Sequence, residues 1–114
     1  MVVHRSGMKV ESKERLRNGE GTAVFTHFAE GGTQKNVRLA AEIALPPGAS
    51  IGYHQHEGET EYFVFMEGTG MANDNGTEVP VRKGDVMITG NGAYHGISNS
   101  GASPLVFNAF IITH

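Results

Sequence analysis

The 114-residue chain contains no cysteine and no tryptophan. It therefore offers no disulfide, no thiol nucleophile and none of the cysteine spacings of zinc fingers or redox motifs. Long apolar runs are also missing. None approaches the roughly 20 residues that span a bilayer, and the opening MVVHRSGMKV lacks the roughly 7–15-residue apolar stretch of a secretory leader. These absences predict a cytoplasmic protein with no membrane partner. Nor is there an excess of cations: nine Lys and Arg stand against twelve Asp and Glu, for a formal net charge of -3. Neutralising a phosphate backbone needs clustered positive charge, so nucleic acid is not expected as a partner. The one basic concentration, Arg5, Lys9, Lys13, Arg15 and Arg17, is diluted by Glu11 and Glu14 and reads as a solvated face.

What is present is glycine and short β-prone runs. Sixteen glycines are scattered through the chain, about twice the roughly 7% average, which leaves little room for long helices. Between them lie stretches rich in Val, Ile, Phe, Tyr and Thr, predicting strands over 22–29, 36–45, 50–56, 60–67, 70–73, 77–82, 85–89, 94–98 and 105–113. Segment 37–45 fits helical and alternating templates equally. The strand is preferred because a helix would leave Leu39 and Ile43 on its polar face. Residues 8–17 form the only other helix candidate, and their apolar content is thin. Pro46-Pro47-Gly48 should end a strand, Asn73-Asp74-Asn75-Gly76 should close a hairpin, and Pro80 should lie on an edge strand or at a bulge. A chain of this length folds as one domain and buries on the order of 65% of its unfolded surface, so it needs no metal for stability.

Six histidines occur, and the pair His54/His56 is the informative one. On a strand, HxH puts both imidazoles on one face about 6.5–7 Å apart, where both can reach one ion. Glu61 has the opposite parity. A turn at Gly58, in a loop over 57–60, would reset the phase and let Glu61 face the same cavity. Glu57 and Glu59 then read as solvated loop carboxylates. Alone, an HxH pair is more often a surface feature or a satisfied core pair than a ligand set.

The wider pattern changes that balance. From Gly48 to Gly68 the chain reads GASIGYHQHEGETEYFVFMEG, which resembles the first cupin signature, G-x5-H-x-H-x3-4-E-x6-G, at every specified position. From Gly84 to Asn99 it reads GDVMITGNGAYHGISN, similar to the second, G-x5-P-x-G-x2-H-x3-N, with Gly90 in place of proline. Fifteen residues separate the two, as in small microbial cupins. The chain thus resembles a small single-domain cupin of the conserved-barrel type, with a likeness to the oxalate-decarboxylase-like branch.

The resemblance implies an all-β fold, a double-stranded β-helix or jelly-roll barrel over about residues 21–114 preceded by an extension over about 1–20. It implies that His54, His56, Glu61 and His95 bind one divalent metal ion per chain, Mn or Fe first, with Ni, Zn, Co or Cu as alternatives. Three imidazoles and a carboxylate suit those ions and leave coordination positions open. The function implied is a metal-dependent enzyme acting on a small carboxylate or enolisable substrate, of decarboxylase, isomerase or dioxygenase type. The alternative is a non-catalytic small-ligand-binding or sensor module anchored by the metal. Cupin decarboxylases carry a proton-donating glutamate on a mobile lid, and no position here matches it, so no catalytic residue is assigned.

Asn99 is expected in a turn or backbone hydrogen bond, and Gly90 and Gly92 in the turn before His95. His27 is expected at the surface or rim; His4 and His114 carry no signal. Phe63 and Phe65 should share the inward face with Glu61. Arg38 or Glu42 could meet an anionic ligand, although a solvent-facing position is the plainer reading. Tyr53 and Tyr94 should pack outside the site. A symmetric homodimer is expected, the commonest assembly of such chains.

Overall fold

A computed structural model describes residues 1–114 as an almost entirely antiparallel β structure. Ten strands run in chain order: β1 (Val10–Glu14), β2 (Thr22–His27), β3 (Val37–Leu45), β4 (Ser50–Gln55), β5 (Glu59–Glu67), β6 (Thr69–Asp74), β7 (Thr77–Arg82), β8 (Val86–Gly90), β9 (Tyr94–Ser98) and β10 (Leu105–Thr113). They form a six-stranded sheet ordered β1-β2-β3-β10-β5-β8 and a four-stranded sheet ordered β4-β9-β6-β7. No helix is long and apolar enough to cross a membrane.

Alternation builds the core between the sheets. Ala41, Ile43 and Leu45 on β3, Phe63 and Phe65 on β5, and Phe107 and Ala109 on β10 are buried, while the residues between them face out. Phe107 lies 4.5 Å from Phe63 and 5.4 Å from Phe65 between ring centroids. Each such side chain stabilises the fold by about 1.5–3 kcal/mol relative to exposure. Phe63 and Phe65 are inward, as expected, and on β10 the Phe107, Ala109, Ile111 face is the inner one.

Turn chemistry sets the strand ends. Asn75 and Gly76, at φ 50° and 98°, close the β6–β7 hairpin between the paired residues Asp74 and Thr77. Pro80 sits on β7, an edge strand, where its missing N–H costs no ladder bond. Segment 37–45 is a strand throughout.

Two expectations need correction. Residues 10–14 form strand β1, paired with β2 from Val10↔Thr26 to Glu14↔Thr22, where the sequence named no strand. The pairing is supplied by β2, and a five-residue polar strand carries little signal of its own. The turn before His95 rests on Asn91 and Gly92, at φ 55° and 81°, and not on Gly90. Gly90 is small for another reason: a Cβ there would meet Thr60 Oγ1 at 2.6 Å.

Candidate metal centre

His54 on β4, His56 just past its end, Glu61 on β5 and His95 on β9 come together between the sheets, their ligand atoms all within 4.8 Å of one another. Strand register brings them there. His54 and His95 are paired across β4 and β9, and Glu61 lies opposite Thr89 on β8 and Ile111 on β10. His56, Glu61 and His95 are buried, with His54 half-buried.

Parity alone would not give this arrangement. Ile51 faces the core, three residues before His54, so an unbroken strand would turn His54 outward. The β4–β9 pairing runs Ile51↔Ile97 and then His54↔His95. Gly52 and Tyr53 therefore stand against Gly96 alone, a bulge that reverses the facing of everything after it. Tyr53 is turned out, where it stacks on Tyr94 at 5.2 Å. A second reset follows at Gly58, φ 70°. It is shorter than expected, because β5 already begins at Glu59 and only residues 56–58 lie outside the strands.

The three imidazoles aim Nε2 at a common point. His54 to His56 is 3.1 Å, His56 to His95 3.0 Å and His95 to His54 3.2 Å. Glu61 Oε1 lies 2.9 Å from His56 Nε2 and 3.0 Å from His95 Nε2. The opposite ring nitrogens are all engaged. His54 Nδ1 donates to the Gly52 carbonyl at 2.6 Å, His56 Nδ1 donates to the Glu59 carboxylate, and His95 Nδ1 meets the Thr89 hydroxyl at 2.8 Å. A neutral ring with its proton on Nδ1, as the carbonyl at His54 and the carboxylate at His56 favour, presents its Nε2 lone pair inward. Three lone pairs and a carboxylate oxygen at these separations repel one another unless protons or a cation sit among them. A nitrogen-rich set with one carboxylate fits a first-row divalent ion.

Burial and hydrogen-bond partners set the charge of each group. Burial pushes His54 down to about 4, helped by the neighbouring imidazoles and Arg17 and opposed by the Gly52 carbonyl. Glu59 is held at about 2 chiefly by the hydrogen bond from Arg38, against its burial, with His56 adding to the shift. Burial opposes the charge on Glu61, yet the hydrogen bonds with His56 and His95 prevail and keep its carboxyl below the usual range. Burial likewise opposes charge on His56, and the bonds to Glu61 and Glu59 raise it.

His54, His56 and Glu61 line a cavity of about 240 Å3. Phe25, Leu39, Ile43, Ile51 and Phe63 form much of the wall, and Phe63 stacks on His95 at 4.8 Å. His27, expected at the rim, does line this cavity, and its Nε2 is 2.9 Å from Glu11 Oε1. Arg38 lines it too, bonded through two nitrogens to Glu59 at 2.9 and 2.8 Å. Glu42 instead pairs with Arg5 at 2.8 Å, outside the site. His114 bonds Thr60 at 2.9 Å, and His4 is exposed. Asn99 serves the backbone as expected, donating to the carbonyls of Leu45 and Ser103 and accepting from Gly101 N–H.

Two readings of the sequence fall short, and one residue of the site went unread. Glu59 is a strand residue, largely buried, that orients His56, not a solvated loop carboxylate. Its shared parity with Glu61 is the signal that could have shown this. Lys13 is half-buried against the cavity and departs from the solvated basic face, whereas Arg17 borders the same cavity while staying exposed. Thr89 is separated from His95 by six residues and was identifiable only through the fold.

The family model described as "Cupin domain" matches residues 41–112. An oxalate-binding protein of Thermotoga maritima is 41% identical over 113 residues, covering 98% of this chain and 93% of that protein. A crystal structure of a predicted oxalate decarboxylase from Thermotoga maritima superposes with a TM-score of 0.93 at 39% identity, covering both chains completely. The polyketide cyclase RemF from Streptomyces resistomycificus shares the fold at 20% identity, with a TM-score of 0.78 over all of this chain and 80% of its own.

Proposed function

The chain belongs to the cupin family, and from that premise we propose that His54, His56, Glu61 and His95 hold one divalent ion, Mn or Fe, in a metal-dependent enzyme acting on a small carboxylate. The observation that carries this reading is the convergence of three imidazole Nε2 atoms and one carboxylate oxygen beside a cavity lined by both apolar and charged side chains. A cavity of about 240 Å3 that pairs an apolar wall with convergent charged groups suits a small polar ligand. The relative's oxalate binding makes oxalate the first ligand to test.

A bound ion would supply Lewis acidity for decarboxylation or isomerisation or, if redox-active, a dioxygen site. The protein's own part is orientation and exclusion. Gly52, Glu59 and Thr89 fix the three rings, Glu61 contributes the one negative charge among the four side chains, and Phe25, Ile43, Ile51 and Phe63 keep bulk water away. His27, steadied by Glu11, is the imidazole outside the cluster placed to move a proton at the cavity wall.

A second reading, a binding or sensor module without turnover, is favoured by one observation: Glu61 is the only carboxylic acid lining the cavity. Elemental analysis of untagged protein purified without chelator comes first, and near-stoichiometric Mn or Fe per chain is expected. Glu61→Ala and His54→Ala should each lower that content, and full retention in either overturns the ligand set. With oxalate, release of carbon dioxide or uptake of dioxygen by the loaded protein supports the enzyme; saturable binding without either supports the module. We further propose a symmetric homodimer. Light scattering should give twice the chain mass of 12.2 kDa, and a mass near 12.2 kDa refutes it.

A further inference from the structure

The cavity wall carries two cations that the metal reading does not use. Arg38 is committed to Glu59 and His27 to Glu11. Lys13 and Arg17 have no carboxylate partner and no side-chain hydrogen bond, although both line the same cavity as His54, His56 and Glu61. Lys13 Nζ instead sits 4.6 Å above the centre of the Phe25 ring, itself part of the wall. That contact steadies the ammonium over apolar surface while leaving its charge unpaired.

Arg17 is held more elaborately. Arg15, Arg17 and Asn18 all take the left-handed conformation, at φ 50°, 53° and 64°, a strained run for residues other than glycine. Close packing on β4 holds the segment in place. A methyl on Gly52 would overlap the carbonyl oxygen of Arg17, and one on Gly19 would overlap the carbonyl of Ser50. Arg17 is thereby seated beside the strand that carries His54.

Charge counting then defines the ligand. Arg38 cancels Glu59, and a divalent ion with Glu61 leaves a single positive charge. Half-buried Lys13 and exposed Arg17 add two more, and the Glu11 carboxylate, which shares a strand face with Lys13, takes one away, so the sum is two positive charges. A monoanion at the ion would leave one of these unanswered, and a dianion would leave none. We infer that Lys13 and Arg17 recognise a second acidic group on the ligand, so that the site selects small dianions, dicarboxylates above all, over monocarboxylates of the same size. The volume of about 240 Å3 restricts them to small molecules. This inference rests on the metal-centre reading, and its test separates the two.

Calorimetric titration of the Mn(II)-loaded protein with malonate and succinate, and with acetate and propionate, is the experiment. Tighter binding of the dianions is expected. Lys13→Gln and Arg17→Asn, the latter chosen because asparagine tolerates the left-handed backbone, should each weaken dianion binding about five- to tenfold. Acetate binding should change less than twofold and Mn content per chain should stay the same, while Arg17→Lys should restore most of the loss. Dianion affinity unchanged in both variants, or equal losses for dianions and monoanions, overturns the inference and leaves the metal centre standing. A wild-type protein that takes up no Mn, or that binds no carboxylate once loaded, overturns both.

Discussion

Replacing Glu59 by glutamine should weaken metal binding without unfolding the protein. The glutamate accepts a hydrogen bond from His56 Nδ1 and two from Arg38. It is fully charged at neutral pH, since the Arg38 hydrogen bond, followed in size by opposing burial and then by the His56 bond, leaves its carboxyl at about 2. Glutamine keeps the shape and one acceptor oxygen but loses the charge. A hydrogen bond to a charged group contributes about 1.5–3 kcal/mol and a neutral one about 1 kcal/mol. The difference, about 0.5–2 kcal/mol, corresponds to roughly two- to thirtyfold in Kd. That range overlaps the roughly 10–100-fold seen when partners of ligating histidines are removed. A flipped amide would also donate to Nδ1 and drive the ring proton onto Nε2, the atom that must stay bare. Competition against a chromophoric chelator, with Mn(II) or Zn(II), measures the change. Arg38→Gln should cost less, because it leaves the His56–Glu59 bond in place. An E59Q variant that binds metal within twofold of wild type refutes the reasoning.

Gly52→Ala should damage fold and site together, since the added methyl overlaps the Arg17 carbonyl and shifts the carbonyl that holds His54. A loss of about 1–3 kcal/mol by denaturant titration is expected, with weaker metal binding; an unchanged melting temperature would contradict the close packing. Phe107→Ala removes a fully buried ring touching Phe63 and Phe65 and should cost about 3–5 kcal/mol. Calorimetry would show this as a drop of more than about 10 °C, and a drop under a few degrees would mean that the core does not rest on this ring. In chelator-stripped protein, Glu59 titrates near 2 when folded and at its ordinary 4.5 when unfolded. Its folded value is depressed, so its stabilisation is complete above pH 4.5 and is lost as pH falls towards 2. Thermal melts across that window should fall less steeply for E59Q than for wild type, and parallel curves would refute the assignment.

The fold was legible because alternation is a property of the chain itself. Glu61, Phe63 and Phe65 on one side of β5, and Asn75-Gly76 at a hairpin, need no tertiary information. The four cluster residues were legible through the spacing of two motifs. Orientation was less so: the HxH spacing places His54 and His56 on one face but cannot say which, and that depends on the pairing of β4 with β9. Glu59 was misread because the length of the turn after His56 is set by backbone bonds from His56 N–H to Ala93 and from Gly92 N–H to His56, made across the fold. β1 was missed, and Lys13 and Arg17 misplaced, for the same reason. A short polar strand is defined by the neighbour it pairs with, and a cation on it, such as Lys13, or just beyond it, such as Arg17, looks purely solvated until the cavity it borders is known.

The extra residue at Gly52–Tyr53 acts on β4 as a frameshift acts on a message. Upstream, the facing of Ile51 is read in one frame and serves the hydrophobic core; downstream, His54 and His56 are read in the other and serve the site. Deleting one residue between them would restore a single frame, leave every imidazole in the chain, and export both histidines to solvent. Possession of this centre is therefore decided by a count of residues as much as by their identity, and a barrel could gain or lose it in one step without altering a single ligand.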